Sequence, residues 1–594
     1  MLWTHGHCRL TLSLAILILG GCTDAEKVPE GDQQSNQSPD FSKVVEPEDP
    51  GGFGNPEAIR FRSCADDRGL RFQYENGQAA GHFSILESLG GGVAAIDIDR
   101  DGFDDICLAG GGEFGRDRSI LPKPTGMFRN KRGLSWSDVS DVAGVKSTRY
   151  YSHGTIRADF DADGFPDFLV TGYGGLELYK NMGDGTFHLA TDEAGLSDRS
   201  WSSSAAWGDL NSDGWLDLYV AHYVDWSWSN DPVCGGPQGH PREICPPRSF
   251  NGLDDIAYLN AGDGTFIDAS DQLKLNPAGK GLGVVMADFD VDGDCDVYVT
   301  NDTVPNFLYQ NSGDGTLLDV SLQSGASLND RGSPDGSMGV DVLDYNTDGL
   351  PDLWVANYER ETNALYQNVG SMGFRHVSQK TGVSVAAGMF VGWGTACQDF
   401  DNDGDEDIVV SNGHVVRFPT NSPLMQLPVL LENQAGTRFR NVAMHAGNFF
   451  LEEHMGRGLS ASDFDLSGDV DFVVSRTNQQ AILLWNETKN GNDWCSVILI
   501  GKESPREPVG AVIRLRSPHG NQTRFVKSGG SYASSSSERI LFGLGSEGGP
   551  VVIEVTWPSG RTQKLENVLP GRHLTIVESG SDDQGSGRVV EFVF

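Results

Sequence analysis

Positive charge is scarce in this chain of 594 residues. Lys and Arg number 44 against 83 Asp and Glu, a formal net charge of −39. Nucleic acid and anionic membrane surfaces are bound through basic patches, so neither is an expected partner. Long stretches with the 3.6-residue apolar period of an amphipathic helix are lacking as well, which leaves an all-β class. The sequence has no G-x-S-x-G elbow, no H-E-x-x-H, no phosphate loop and no dinucleotide fingerprint, and its histidines are scattered. Cysteine is sparse, with 9 in all.

Glycine is abundant at 76 residues, and much of it belongs to a recurring acidic phrase. The phrase reads DIDRDGFDD, DFDADGFPD, DLNSDGWLD, DFDVDGDCD, DYNTDGLPD, DFDNDGDED and DFDLSGDVD. Loop 1 offers Asp97, Asp99, Asp101 and Asp105, and loop 2 offers Asp159, Asp161, Asp163 and Asp167. Loop 3 offers Asp209, Asn211, Asp213 and Asp217, and loop 4 offers Asp288, Asp290, Asp292 and Asp296. Loop 5 has Asp344, Asn346, Asp348 and Asp352, and loop 6 has Asp399, Asp401, Asp403 and Asp407. Loop 7 keeps Asp463, Asp465 and Asp471, but Ser467 at its fifth position weakens it. Hard oxygen ligands alternating along a loop, with glycine where the chain turns sharply, suit calcium. Up to seven structural Ca²⁺ ions are expected. An acidic solubilising surface would not hold this spacing seven times.

These are not EF-hands. That loop needs a bidentate glutamate at position 12 between two helices. Position 12 here holds Leu108, Val170, Val220, Val299, Val355, Val410 and Val474, and strand formers surround it. The loops therefore join strand to strand.

Residues 1–22 have a weakly basic start, an apolar stretch too short to span a bilayer, and the close Leu19-Gly20-Gly21-Cys22. They read as a lipoprotein signal, with Cys22 lipidated and the protein held at the outer membrane or cell surface. An ordinary cleaved signal peptide is the alternative. Residues 23–58 are polar, acidic and proline-containing, a flexible tether. Between the aspartate loops runs a second phrase, such as Leu178-Tyr179-Lys180-Asn181 before GDGTF, whose Gly and Asp suit a tight hairpin. Each unit so becomes a four-stranded antiparallel blade. Residues 59–490 are expected to form a seven-bladed β-propeller, a linear solenoid being the structural rival. Strands within 59–90, such as that around Gly69 to Phe72, are expected to complete the last blade.

The strand before each loop is rich in small residues, as expected near a crowded axis. Tyr151, His153, Trp201, Lys280 and His454 fall at or near the starts of these strands and are candidates for a ligand site at one mouth of the channel. The largest insertion, in the third unit, contains Cys234 and Cys245; in an exported protein these are expected to pair as a disulfide. Zinc on Cys234, His240 and Cys245 would lack a fourth ligand. After residue 490 the aspartate loops stop, and residues 491–577 read as a small β-sandwich-like domain followed by a polar tail, 578–594.

Together, these residues make a resemblance to a known family. The DxDxDGxxD loops and the N…GDGTF phrases resemble FG-GAP/VCBS repeats of integrin α-like propellers. Val509-Gly510-Ala511, the GSYASSSS run, FGLG and WPSG resemble the ASPIC/UnbV domain. The pairing is similar to the cartilage acidic protein family and its bacterial lipoprotein relatives. The resemblance implies calcium binding, an extracytoplasmic location and adhesion; beside it, the expected function is that of a calcium-stiffened, surface-anchored binding or adhesion protein for a protein or glycan ligand. A calcium-dependent polysaccharide lyase, with Tyr151, His153, Lys280 or His454 abstracting the proton, is the alternative. A quinone-dependent dehydrogenase lacks its regular tryptophan phrases.

Overall fold

A computed structural model describes residues 58–594 apart from 147, 314, 388–389, 519, 581–588 and 593–594. Cys22, the signal segment and nearly all of the tether lie outside the described residues. Among those described, helices are single turns of three to five residues, and strands make up the framework.

Each aspartate loop is the hairpin connection between the first two strands of a four-stranded antiparallel sheet. In the second blade these strands are Tyr151–Ala158, Asp167–Tyr173, Gly175–Asn181 and Phe187–Leu189. Six further sheets repeat the order, with first strands Val93–Ile96, Ser202–Gly208, Gly281–Ala287, Ser337–Leu343, Gly392–Gln398 and Gly456–Ser462. First strands of successive blades pack against one another, and the seventh packs against the first. The ring is closed, which removes exposed sheet edges at the blade interfaces. A solenoid is excluded by that last contact. Strands after the loops are buried on both faces because each blade is covered by a neighbour on either side.

The seventh blade draws its outer strand from the other end of the chain. Phe61–Ser63 pairs with Gln479–Asn486, Phe61 opposite Asn486. The stretch from Gly69 to Phe72, expected as the strand, is a turn and an extended connection instead. Phe61 decides the matter: its ring packs edge-on to Phe400 and Phe472, at 5.5 and 4.8 Å between centroids.

The C-terminal domain is two four-stranded sheets. One carries Ile540–Gly545, Asp493–Ile500, Arg572–Val577 and Val589–Phe592; the other Gly520–Phe525, Val512–Ser517, Val551–Thr556 and Thr562–Val568. Val497, Ile513, Phe542, Ile553 and Trp557 are among the apolar residues buried between them. The end of the chain corrects the reading of 578–594 as only a polar tail, since Val589–Phe592 adds an edge strand.

This domain also fills the middle of the ring. Residues 528–537 leave it as a segment of short bridges and turns, with Gly529, Gly530, Ser531 and Ala533 at positive φ, and run between the innermost strands. Ser528–Gly529 pairs with the first strand of blade 4. Val340 N–H donates to Ser531 O at 2.9 Å, Thr155 N–H to Ala533 O at 3.1 Å, and Ala95 N–H to Ser535 O at 3.1 Å. Serine hydroxyls take further donors: Val93 N–H on Ser534 Oγ, Arg157 N–H on Ser535 Oγ and Ala461 N–H on Ser536 Oγ. The glycines of the inner strands make room for it. A Cβ added to Gly92 would lie 1.9 Å from Ala533 O, and one on Gly458 2.5 Å from Ser534 Oγ.

Candidate metal centres

The aspartate loops owe their shape to hydrogen bonds of their own carboxylates. In all seven, the position-1 aspartate accepts the N–H of the position-6 glycine, as Asp97 does from Gly102 at 2.9 Å and Asp399 from Gly404 at 2.8 Å. Each of these glycines has φ between 84° and 106°, which a side chain rarely allows. Position 4 is left-handed too, although none of its occupants is glycine: Arg100, Ala162, Ser212, Val291, Thr347, Asn402 and Leu466 have φ between 54° and 60°. Sequence reasoning missed that strain, since these seven residue types have nothing in common.

Position 9 joins the loop to its blade. One oxygen of Asp167 accepts Phe160 N–H at 3.2 Å and the other accepts Asn181 N–H at 2.7 Å. The Asn181 amide then donates to Pro166 O of its own loop and to Ile98 O of the preceding loop. Every blade repeats this, and Asn130 of blade 1 reaches Phe464 O of blade 7. The asparagine in the second recurring phrase is therefore the rivet between neighbouring blades.

The side chains of positions 1, 3 and 9 converge in four loops: Asp97, Asp99 and Asp105; Asp159, Asp161 and Asp167; Asp288, Asp290 and Asp296; Asp399, Asp401 and Asp407. Within each trio the oxygens lie within 4.8 Å of one another. Loops 3, 5 and 7 are not among the converging trios of the described residues. In two of them an amide stands at position 3, and Asn211 and Asn346 donate to Asp213 and Asp348 instead. At position 5, Asp101, Asp163, Asp292 and Asp403 each accept, through one oxygen, the N–H two residues on.

The donor set fits a hard divalent cation. Asp99 Oδ1, Asp159 Oδ1 and Asp290 Oδ1 are buried without a hydrogen-bond partner, and Asp159 is only 3% exposed. Burial, with like charges beside it, pushes Asp97, Asp288 and Asp401 up to about 7. Burial raises Asp167 to about 9, against which its hydrogen bond from Asn181 works. Charged carboxylates are this costly unless a cation joins them. The trios so supply oxygen ligands only, with no nitrogen or sulfur, which matches calcium chemistry.

All seven loops lie on the face against which the C-terminal domain docks. Arg506 pairs with Asp159 at 2.8 Å, Glu507 accepts Asp159 N–H, and Gly543 N–H donates to Asp399. Trp494 lies so close to Gly468 that a Cβ there would sit 1.8 Å from the indole. A cavity of about 90 Å³ remains between ring and domain, lined in part by Arg157, Glu507, Asp341 and Lys527. Its charges are already paired, Arg157 with Glu507 and Glu538, Lys527 with Asp341.

Residues 159–220, 288–355 and 344–410 match a model of the FG-GAP-like repeat, and residues 501–583 match ASPIC and UnbV. The chain is built of FG-GAP-like repeats and an ASPIC/UnbV domain. It is homologous to cartilage acidic protein 1, being 25% identical to the Xenopus tropicalis protein over 505 residues, 79% of this chain and 70% of that one. The human protein is 24% identical over 514 residues, 82% and 71%. Among solved structures, an Agrocybe aegerita lectin that recognises non-reducing terminal N-acetylglucosamine is 15% identical, with a TM-score of 0.34, over 66% of this chain and 87% of that one. BBS1N in complex with ARL6DN is 9% identical, with a TM-score of 0.39, over 68% and 94%.

The five residues expected at a channel mouth are placed otherwise. Tyr151, His153, Trp201, Lys280 and His454 are all buried. Trp201 Nε1 donates to His153 Nε2 at 2.7 Å, and burial pushes the His153 imidazole down to about 3. Lys280 Nζ donates to Pro247 O, and the His454 ring stacks on Phe449. The channel wall has no open mouth at these positions because residues 528–537 and the long connections pack over them. Cys234 and Cys245 form the expected bridge. With both sulfurs joined to each other, neither is a thiolate ligand for zinc, and Cys64, Cys107, Cys295, Cys397 and Cys495 are buried free thiols.

Proposed function

We propose that this is an exported, calcium-stabilised binding or adhesion protein, held to a membrane through lipid on Cys22, for a protein or glycan ligand. One observation carries the reading: the C-terminal domain covers the aspartate-loop face, which leaves the opposite face for a partner. That face is built up by long connections between second and third strands, in blades 1, 3 and 6, joined by the segment around residues 75–89. They interlock through aromatic and charged groups. His240 stacks on Phe418 at 3.7 Å, and Glu243 accepts the N–H of both Arg417 and Phe418. Arg417 also pairs with Glu87. Trp228 packs edge-on to Phe114 and His82 beneath the Arg118 guanidinium and remains partly exposed; Val233, beside the disulfide, is 72% exposed. Aromatic and arginine side chains on a rigid, cross-linked surface are what recognition sites favour.

The disulfide supports an oxidising compartment. Among the described residues no helix is long and apolar enough to cross a membrane. Calcium would serve as a fixed charge at the trios, held by their aspartates, with no part in chemistry. The lyase alternative gains no support, because its proposed bases are buried packing residues. The test is a glycan and protein array probed with the calcium-loaded chain lacking residues 1–22. Binding that Trp228→Ala or Val233→Glu abolishes, with the chain still folded in calcium, supports the reading. No ligand on either array, or ligands bound equally by both variants, would sink it.

A further inference from the structure

Loops 1, 2, 4 and 6 present the same four aspartates, and they are also the four in which three carboxylates converge. They differ inside the loop at positions 2, 4, 7 and 8, and just outside it at the residue before the riveting asparagine of the third strand. That residue is Arg129 for loop 1, Lys180 for loop 2, Gln310 for loop 4 and Glu432 for loop 6. The register that brings Asn181 N–H onto Asp167 brings the preceding side chain over the mouth of the loop. Lys180 Nζ pairs with Asp161 and reaches Asp163 at 3.5 Å. The Arg129 guanidinium pairs with Asp99. Gln310 Nε2 donates to Asp290 at 2.6 Å, a neutral version of the same contact. In loop 6 the carboxylate of Glu432 turns to Arg440 at 2.6 Å and brings no cation to the loop.

We propose that Arg129 and Lys180 are tethered counter-cations that occupy the ligand carboxylates of loops 1 and 2 and must be displaced by a divalent ion. Loops 1 and 2 are then weak, exchangeable sites, and loops 4 and 6 are tight ones. The inference rests on the reading that the trios hold calcium. Loop 2 carries it best. Asp159 is nine-tenths buried or more and keeps an oxygen without a donor, so the site has an unmet need that Lys180 does not fill. Lys180 and Arg506 between them neutralise two of its carboxylates, and among the described residues no such cation pairs with Asp290. One unit of charge at contact distance at a partly exposed site is worth a change of roughly tenfold or more in affinity. A flexible lysine or arginine can swing out to solvent when displaced, which keeps the exchange reversible.

The full chain lacking residues 1–22, freed of metal by chelation, is titrated with Ca²⁺ by calorimetry and with Tb³⁺ by sensitised luminescence. Wild type should show a tight and a weak class of sites. Lys180→Gln together with Arg129→Gln should tighten the weak class by roughly tenfold and leave the tight class alone. Gln310→Lys should move one site from the tight class to the weak one, and this arm stands even if the double variant folds poorly. Melting gives a separate readout: Lys180→Gln should melt lower than wild type in chelator and higher in calcium. Superimposable titrations in all variants, or weaker binding after Lys180→Gln, would overturn the proposal. The absence of any bound ion in wild type would instead overturn the calcium reading beneath it.

Discussion

Asparagine does more in this ring than its place in a recurring phrase implies. Asn311 Nδ2 donates to Leu210 O of the preceding blade and to Cys295 O of its own, both at 3.1 Å. Alanine there leaves two buried carbonyls without donors, so Asn311→Ala should cost roughly 2–4 kcal/mol in denaturant unfolding. A loss under half a kcal/mol would show that water replaces the amide. Gly92 tests the filled channel in the same way. Its missing Cβ is the space Ala533 O occupies, and backbone on both sides cannot yield. Gly92→Ala should therefore lower the melting temperature, and Gly549→Ala, where a Cβ meets nothing within 4 Å and φ lies outside the left-handed region, should be milder. Equal effects at the two positions would mean that the channel segment adjusts.

At the scale of elements, the loops make the metal-free chain sensitive to base. Burial raises Asp97, Asp159, Asp288 and Asp344 to about 7 and Asp167 to about 9. Unfolded aspartates titrate near 3.9, so the folded metal-free chain holds protons that the unfolded chain has released. That stability is complete below the unfolded value and is lost as pH rises through about 7 to 9. In chelator the melting temperature should fall between pH 6 and 9; with calcium in excess the fall should vanish or reverse. A chelated chain whose melting is flat over this range would remove the buried-carboxylate account. The N-terminal strand is a second element with a measurable share. Phe61 is buried against Phe400 and Phe472 where the ring closes, and Phe61→Ala should cost about 3–5 kcal/mol.

For the whole molecule, ring, loops and C-terminal domain act as one body, because oxygens of the loops serve both sides. Asp159 takes Arg506 of the domain while its free oxygen faces the trio, and Asp399 accepts Gly543 N–H. Chelation should thus loosen docking. Protease cleavage in the connection at residues 487–492 should rise by severalfold in chelator relative to calcium; equal cleavage in both would separate docking from the metal. Cys22→Ala should release the protein from membranes, and retention there would refute lipid anchoring.

What could be read from residue order was what is local in the chain. A nine-residue loop carries its own ligands, its own turn glycine and the start of its next strand, so DFDADGFPD can be recognised without a fold around it. Hairpin-linked strands follow from it by short connections, and the bridge between Cys234 and Cys245 closes only eleven residues of separation. The C-terminal domain was likewise visible as a change in composition. What depended on distance was not visible. Val93 N–H meets Ser534 Oγ across 441 residues, and the GSYASSSS run gives no local sign that it will fill a channel. Tyr151, His153 and Trp201 looked like a mouth because their strand starts at one, and only the packed segment above them shows that they are core. The sequence alone determined the blades and their acidic loops, since backbone hydrogen bonding and ligand spacing are short-range. Tertiary structure alone decided which face stays open, because burial is a property of what docks on a surface and not of the surface residues themselves.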